Sequence, residues 1–189
     1  CIRDRAVLAY FLLMFLLRGM PFIDLAHLRK RDMQDGRITY SRHKTDKPIT
    51  VRIPREALVL IAKYADRHSA SPYLFPILDA RIRDGWQSYR NYQDALRHFN
   101  RKLGQVMSRL LPGVRVSSYT ARHTWATLAF HSGQSVGIIS QALGHSSLRV
   151  TETYLKPFGN ELVDKANRQL IASVRKCKWK NETEYRAGL

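Results

Sequence analysis

Cysteine is almost absent from this sequence. The 189 residues include two, Cys1 and Cys177, which lie near opposite ends and form no CxxC pair. A disulfide framework is therefore excluded, and a reducing, intracellular setting is the expectation. The seven histidines form neither an HExxH nor an HxxxH pair, and there is no Cys/His cluster in the sequence, so we expect no metal site.

Signature motifs of several enzyme classes are missing as well. The sequence has no P-loop and no GxGxxG motif, which argues against a nucleotide or dinucleotide cofactor, and it has no GxSxG elbow. The apolar run Ala6–Leu17 has twelve residues, whereas a membrane-spanning helix needs about 20. No signal-peptide cleavage pattern follows this run. We therefore interpret it as a buried core helix.

Acidic residues are scarce relative to basic ones. The 15 Asp and Glu are outnumbered by 32 Lys and Arg, which gives a formal net charge of +17. So large an excess favours a polyanionic partner, with nucleic acid as the first interpretation and an anionic membrane surface as the alternative. Membrane binding would need a basic amphipathic helix with an aromatic-rich apolar face, and the predicted terminal helix has no aromatic residues there.

Apolar periodicity predicts a mainly α protein with a small antiparallel β-sheet, in the α+β class. Two strands, 37–42 and 49–53, alternate around a turn-rich tip and predict a β-hairpin. Helices are predicted over 2–18, 21–28, 54–64, 86–111, 117–131, 135–143, 147–154 and 160–174. We expect one domain over 1–175 and a C-terminal tail over 176–189. The chain begins without Met in what looks like mid-helix, so we expect a piece of a longer protein.

Five short segments carry residues suited to chemistry on an anion. They are Leu17-Arg18-Gly19-Met20 followed by Asp24, Lys44 at the hairpin tip, Tyr119-Thr120-Ala121-Arg122-His123, Leu143-Gly144-His145, and Tyr154. Three-residue spacing on a helix puts Tyr119 and Arg122 on one side. His145 follows a glycine at a predicted helix end, and Tyr154 lies near a helix terminus.

Three of these segments, in order and at matching spacing, resemble boxes of the tyrosine recombinase, or phage integrase, family. Tyr119–Thr127 (YTARHTWAT) is similar to its HxxRHTxAT box, Ala142–Ser147 to its LGH box, and Thr151–Tyr154 to its nucleophile box. Leu28–Asp32 and the hairpin Arg42–Pro48 are also similar, so the resemblance covers roughly residues 5–175, and it is to integrases of bacterial mobile elements.

The resemblance implies a DNA breaking-rejoining catalytic domain. Such a domain performs site-specific recombination, the integration or excision of a mobile element, through a 3′-phosphotyrosyl intermediate. Tyr154 would be the nucleophile and Lys44 the general acid for the leaving 5′-oxygen. Arg18, Arg122 and His145 would hold the phosphate. Neither a metal nor another cofactor is needed, because the bond energy is stored in the phosphotyrosine.

This sequence departs from the family pattern at two positions. The family's first arginine would fall at Pro21, and the nearest candidate is Arg18, as in an "RGM" version of the motif that some mobile-element integrases carry. Tyr119 stands where a His or Lys is usual; a phenol can donate a hydrogen bond to phosphate but is a poorer base near neutral pH. We expect His123 to support the site from behind and Asp24 to position an arginine.

Partners follow from the same resemblance. Double-stranded DNA would be contacted along its backbone by Arg29, Lys30, Arg31, Arg42 and Lys47. The C-terminal helix would either pack on its own domain or assemble a homotetramer on DNA, with a monomer possible for the free fragment. N-terminal DNA-binding domains would be missing, and the location would be the bacterial cytoplasm, at the nucleoid. Two alternatives remain: a type IB topoisomerase or resolvase-like enzyme, and a non-catalytic DNA-binding module of the same fold.

Overall fold

The computed structural model describes residues 2–82, 84–155 and 157–186. Its α-helices are α1 (Ile2–Leu16), α2 (Phe22–His27), α3 (Arg55–Tyr64), α4 (Gly85–Leu110), α5 (Ser118–His131), α6 (Val136–Leu143), α7 (Leu148–Glu152) and α8 (Asn160–Arg186). Its strands are β1 (Met33–Gln34), β2 (Arg37–Ser41) and β3 (Pro48–Arg52). The chain divides into two compact units, Cys1–Leu155 and Lys156–Leu189. The prediction of a mainly α fold with a small antiparallel sheet is confirmed.

Helix α1 forms the centre of the first unit, because its apolar residues surround it on every side. It packs against α3, α4 and α5. Leu13 and Met14 are wholly buried, and burying a side chain of that size contributes about 1.5–3 kcal/mol. The helix ends at Leu16, and both Arg18 and Gly19 then adopt left-handed backbone conformations that turn the chain towards α2. The interpretation of Ala6–Leu17 as a buried core helix is confirmed.

The sheet is antiparallel in the order β1-β2-β3. Ile38 of β2 pairs with Val51 of β3, and both side chains are buried on the same face while their neighbours are exposed. This alternation is what the hairpin was predicted from. The sequence analysis missed β1, because a strand of two residues is too short to show a period.

The C-terminal elements differ from their predictions in two ways. Helix α7 ends at Glu152, so Tyr154 lies beyond it, in a turn where its backbone N–H donates to the Thr151 carbonyl at 2.9 Å. Helix α8 runs to Arg186 instead of ending at 174. No Gly or Pro interrupts the sequence between these two points, so nothing breaks the helix. The predicted domain boundary at 175 therefore falls inside α8.

None of the helices in the described ranges is both long and apolar enough to cross a membrane.

Candidate active site

Arg122 on α5 lies at the centre of a cluster of cationic and aromatic side chains. It is 2% exposed, and its Nη1 donates to the Gly19 carbonyl at 2.8 Å. Its Nη2 donates to the Leu143 carbonyl at 2.6 Å and lies 2.9 Å from His145 Nε2. Burial lowers the pKa of Arg122, but a guanidinium stays charged at physiological pH. The side chain is therefore a fixed positive charge.

Close packing at Gly19 makes this placement possible. Its φ of +67° is in the left-handed region, and a Cβ atom here would lie 3.2 Å from the Arg122 Cα. A larger residue would be strained in its backbone and would also crowd α5. Glycine therefore lets the end of α1 meet the arginine and offer it a carbonyl.

Arg42 follows β2 and is the second arginine of the cluster. It is 6% exposed, and its Nε lies 2.9 Å from Oδ2 of the buried Asp24 on α2. Its Nη1 donates to the Leu143 carbonyl, which also accepts from Arg122. We expected Arg42 to be a solvated residue that contacts the DNA backbone; its side chain is instead buried, and the contact with DNA stays a prediction. Asp24 does pair with an arginine, and that arginine is Arg42.

Two guanidinium groups on one carbonyl oxygen form a strongly positive point. Arg42 contributes to the lowered pKa of Arg122, as a neighbouring like charge must. Asp24 balances one of the two charges. Burial raises the pKa of this carboxyl group, although the His43 backbone N–H, which donates to Oδ1 at 2.9 Å, and the Arg42 charge both act against the rise. One positive charge is left to be met by an anion, and an arginine fork suits phosphate.

Gly144 allows the hairpin to approach α6. It ends that helix in a left-handed conformation with φ +66°. A Cβ atom here would lie 2.5 Å from Ile49 Cδ1 and 3.3 Å from Arg42 Cγ. The glycine of the LGH box is thus required both by its backbone conformation and by the side chains packed over it.

His145 follows directly and is held by contacts to its ring and its backbone. Nδ1 lies 2.8 Å from Thr151 Oγ1, and the backbone carbonyl accepts from Lys47 Nζ at 3.1 Å. Burial lowers the pKa of His145 to about 4, with the charges of Arg122, Arg42 and Lys44 adding to the effect. The imidazole is therefore neutral at physiological pH.

Tyr154 places its ring against this cluster. The ring stacks on His123 at 4.4 Å between centroids, lies 5.0 Å from the His145 ring, and has the Arg122 Cζ 5.7 Å from its centroid. Its backbone carbonyl accepts from Thr127 Oγ1 at 3.1 Å. It packs on a small core formed by Ala126, Ile139 and Leu143.

The other two residues predicted on α5 lie at the edge of the cluster. His123 is exposed on its outer side, and burial of the ring together with the Arg122 charge lowers its pKa. Tyr119 is 56% exposed, and its ring centroid lies 6.4 Å from that of His123. Tyr119 also lines a cavity of about 50 Å³ with Pro21 and Arg122, so it lies beside the arginine.

Arg18 lies near the cluster without being bonded into it: its charge acts to lower the pKa of Tyr40 together with the charges of Arg42 and Arg122. Its backbone is left-handed, with φ 61°, and its half-buried side chain lines a separate cavity of about 520 Å³ with Trp125 and Gln141. Within the described residues, no hydrogen bond or ion pair joins it to Arg122 or His145. The turn at the end of α1 directs the Gly19 carbonyl to Arg122, while the adjacent Arg18 side chain lines this other cavity. The structure thus brings Arg42, and not Arg18, against Arg122.

The remaining basic residues that the sequence singled out lie in different surroundings. Lys44 is exposed at the hairpin tip, close enough for its charge to lower the pKa of His145. Arg29 and Arg31 are exposed and line a cavity of about 390 Å³ beside Asp24. Lys30 donates to the His68 carbonyl at 2.6 Å.

In the part of the chain that the structure describes, no group of three or more His, Cys, Asp or Glu could hold a metal ion.

Sequence reasoning missed two members of this site. Arg42 was assigned to the surface because a hairpin residue in a basic segment carries no sign of burial. Thr151 was quoted only as part of the nucleophile box. Its position three residues before Tyr154 was a usable signal, because the helix predicted over 147–154 would place both residues on one side.

Comparison with known proteins shows the family of this chain. The sequence model of the phage integrase family matches residues 2–161. The chain is 29% identical over 172 residues to tyrosine recombinase XerA of Pyrococcus furiosus, covering 88% of this chain and 55% of that protein. It is 30% identical over 157 residues to XerA of Thermococcus onnurineus, covering 82% and 51%. The chain therefore spans about half the length of these curated relatives.

Solved structures share the fold. The crystal structure of XerA recombinase superposes with a TM-score of 0.61 at 19% identity, over 87% of this chain and 60% of that one. The Tn1549 transposon integrase in complex with a circular intermediate DNA gives 0.57 at 14% identity, over 88% and 57%. A λ integrase dimer bound to a COC′ core site gives 0.53 at 15% identity, over 79% and 52%. Because the family's sequence model matches most of this chain and the fold is shared, this chain belongs to the phage integrase family of tyrosine recombinases.

Proposed function

We propose that this chain is the catalytic part of a site-specific DNA recombinase, which cuts and rejoins DNA through a covalent bond between Tyr154 and a DNA phosphate. One observation carries the proposal: the Tyr154 ring lies against His145 and Arg122, at the point where Arg42 and Arg122 meet on the Leu143 carbonyl. A nucleophile is thus held beside an unbalanced positive charge that suits a phosphodiester.

The phosphate would lie between the two guanidinium groups and the His145 ring. A phosphodiester gathers negative charge on its non-bridging oxygens as it is attacked, so fixed donors aimed at those oxygens stabilise the transition state more than the ground state. Arg122 and Arg42 are held by carbonyls and by Asp24 before DNA arrives. Little reorganisation is then needed when the charge develops.

The reaction keeps its atoms and protons in balance. The Tyr154 hydroxyl releases its proton to solvent and its oxygen bonds to phosphorus, the bond from phosphorus to the 5′-oxygen breaks, and Lys44 gives that oxygen a proton. A second strand's 5′-hydroxyl then gives its proton to Lys44 and attacks the phosphotyrosine, and the released Tyr154 oxygen takes a proton from solvent. Each step exchanges one phosphodiester for another, so the chain's own residues suffice.

We assign the role of the family's first arginine to Arg42. Pro21 occupies the usual position of that residue and cannot bind phosphate with its side chain. The buried Arg42 brings a guanidinium from the hairpin to the same carbonyl as Arg122. Arg18, which the sequence favoured for this role, lines a different cavity. Tyr119 remains a candidate hydrogen-bond donor to the phosphate, from the edge of the site.

Double-stranded DNA is the substrate that fits, and two DNA-bound integrases share the fold. Integration or excision of a mobile element is the reaction we favour, since the transposon integrase is among them. Arg29 and Arg31 are exposed for backbone contacts. Assembly into a tetramer on DNA through α8, and a location in the bacterial cytoplasm at the nucleoid, remain predictions.

A nicked duplex tests the chemistry. Nicked duplexes that carry the terminal sequences of the encoding element are incubated with the protein, and covalent adducts are resolved in denaturing gels. We expect an adduct with the wild type and none with Tyr154→Phe. In Lys44→Ala, we expect a slow reaction that recovers when the leaving 5′-oxygen is replaced by sulfur, because a thiolate leaves without a proton.

Each outcome discriminates between functions. DNA binding without an adduct, from the full-length protein as well, would favour the non-catalytic DNA-binding module. An adduct that survives Tyr154→Phe would place the nucleophile elsewhere. Failure of the sulfur substitution to help Lys44→Ala would remove Lys44 from the role of general acid.

A further inference from the structure

The His145 ring is held at both of its nitrogens. Nε2 lies 2.9 Å from Nη2 of Arg122, and Nδ1 lies 2.8 Å from the Thr151 hydroxyl oxygen. Thr151 is wholly buried, with 0% of its surface exposed, so its hydroxyl is shielded from solvent. This contact joins α7 to the residue that ends the LGH box.

The chemistry of these partners decides where the ring proton lies. A guanidinium donates hydrogen bonds and cannot accept them, so Nε2 must accept from Arg122. A neutral imidazole carries its one proton on the other nitrogen. The Nδ1–H group therefore donates to Thr151 Oγ1. The lowered pKa of His145, about 4, agrees with a ring that holds a single proton.

Binding of a phosphate would demand the opposite arrangement. To donate to a phosphate oxygen, Nε2 must carry the proton, and Nδ1 then becomes an acceptor that needs a donor. A hydroxyl group can accept in the first arrangement and donate in the second, simply by rotating its proton. A backbone carbonyl or a carboxylate in the same position could only accept, and would hold the ring in the first arrangement permanently.

We infer that Thr151 is a positioning residue that lets His145 exchange tautomers between the free site and the DNA-bound site. The inference rests on the proposed function, because it assigns the phosphate to Nε2. The ring holds one proton before and after the exchange: the Nδ1 proton is released to solvent, Nε2 takes a proton from solvent, and the hydroxyl proton of Thr151 turns towards Nδ1.

Thr151 also ties this exchange to the nucleophile. Its carbonyl accepts from the Tyr154 backbone N–H at 2.9 Å, so the residue that orients the imidazole also anchors the turn that carries the tyrosine. The charged groups around His145, namely Arg122, Arg42 and Lys44, are all cations. In the described residues no carboxylate is hydrogen-bonded to the ring, which leaves the Thr151 hydroxyl to stabilise either tautomer at Nδ1.

The test combines a spectroscopic and a kinetic measurement. ¹⁵N-histidine-labelled protein is compared with Thr151→Val, which keeps the shape and removes the hydroxyl, and with Thr151→Ser, which keeps the hydroxyl. Thr153→Val is the matched control, because Thr153 is exposed and its hydroxyl donates to the Val150 carbonyl. The His145 signals are identified by their loss in His145→Gln.

We expect the free wild-type protein to show a protonated Nδ1 and an unprotonated Nε2, and the reverse when the nicked duplex is bound to Tyr154→Phe. Thr151→Val should shift the Nδ1 resonance and form adduct roughly tenfold more slowly, the effect of one lost hydrogen bond. Thr151→Ser and Thr153→Val should resemble the wild type in both measurements.

Three results would overturn the inference. They are an unchanged His145 spectrum in Thr151→Val, a free wild-type ring already protonated at Nε2, and a folded Thr151→Ser that is as slow as Thr151→Val. A wild-type protein that forms no adduct would instead count against the proposed function. The spectra of the free protein would still show whether Thr151 holds the ring as inferred.

Discussion

The ion pair between Arg42 and Asp24 is a sensitive place to perturb both folding and chemistry. The exposed fractions of the two side chains are 7% and 0%, so water cannot take the place of a lost partner. Removing one member of a buried pair costs about 3–5 kcal/mol, because the other charge is left in the interior. The His43 N–H still donates to Asp24. We therefore expect Arg42→Ala to lose about 3 kcal/mol in the free energy of unfolding.

Urea denaturation measures this loss. With a slope of about 2 kcal/mol per M, the midpoint of Arg42→Ala should fall by about 1.5 M. Adding Asp24→Asn should recover about 1–2 kcal/mol, because the neutral amide no longer needs a cation. The pKa of Asp24 is already raised by burial, and removing Arg42 raises it further. A raised pKa in the folded state stabilises the protein at low pH, so the deficit of Arg42→Ala should shrink as the pH falls towards 4.

The same variant tests the phosphate site. Loss of one hydrogen-bond donor to the phosphate should slow adduct formation by a factor of about 10²–10³. Arg18→Ala is the comparison, since its guanidinium lies outside the cluster; its stability should change by less than about 0.5 kcal/mol and its adduct rate should stay near that of the wild type. The reasoning would be refuted if Arg42→Ala kept the wild-type midpoint, or if Arg18→Ala were the variant that lost activity.

Further predictions concern His145, two glycines and DNA binding. The pKa of His145 is lower in the folded protein, about 4, than its ordinary value of 6.5, so the free energy of unfolding should be highest above pH 6.5 and should decrease as the pH falls towards about 4. Urea midpoints of the wild type should therefore drop across that pH range, and those of His145→Gln should drop less. Gly144→Ala should destabilise the fold by about 1–2 kcal/mol, because the backbone at this position is left-handed. Gly104→Ala should stabilise the fold by up to about 1 kcal/mol, because Gly104 lies inside α4 with open space around it. Equal urea midpoints in the two variants would contradict this reasoning. DNA binding by the chain should weaken steeply as the salt concentration rises. In salt titrations, Arg31→Ala should reduce the slope of log binding constant against log salt concentration by about one. An affinity that did not change with salt would argue against contacts to the DNA backbone.

Much of the fold followed from local patterns. An apolar run bounded by glycine predicted α1, and alternation predicted the hairpin, because periodicity reports which face of an element is buried. Helix α8 showed the limit of this approach, since its predicted end depended on where apolar residues stopped, while the helix itself continued for as long as no breaker occurred.

The sequence also allowed us to predict that the main residues of the site lie close together. Arg122, His145 and Tyr154 lie on or beside consecutive short elements, and their boxes have the family's order and spacing. Short connections keep such elements adjacent, so the residues had little freedom to separate. The amino-acid sequence by itself thus determined the nucleophile candidate, one arginine and the histidine.

Only the tertiary structure brings a second arginine, Arg42, to the carbonyl that Arg122 binds. Arg18 is next in sequence to Gly19, whose carbonyl accepts from Arg122, and Arg42 is far from Gly19 in sequence. Nevertheless, Arg42 is the residue that contacts the cluster. The cause is long-range packing: Gly144 lets the hairpin settle on α6, and Asp24 neutralises a guanidinium that would otherwise be costly to bury. Burial and pairing of a charge depend on residues brought together from distant segments, and no local pattern encodes them.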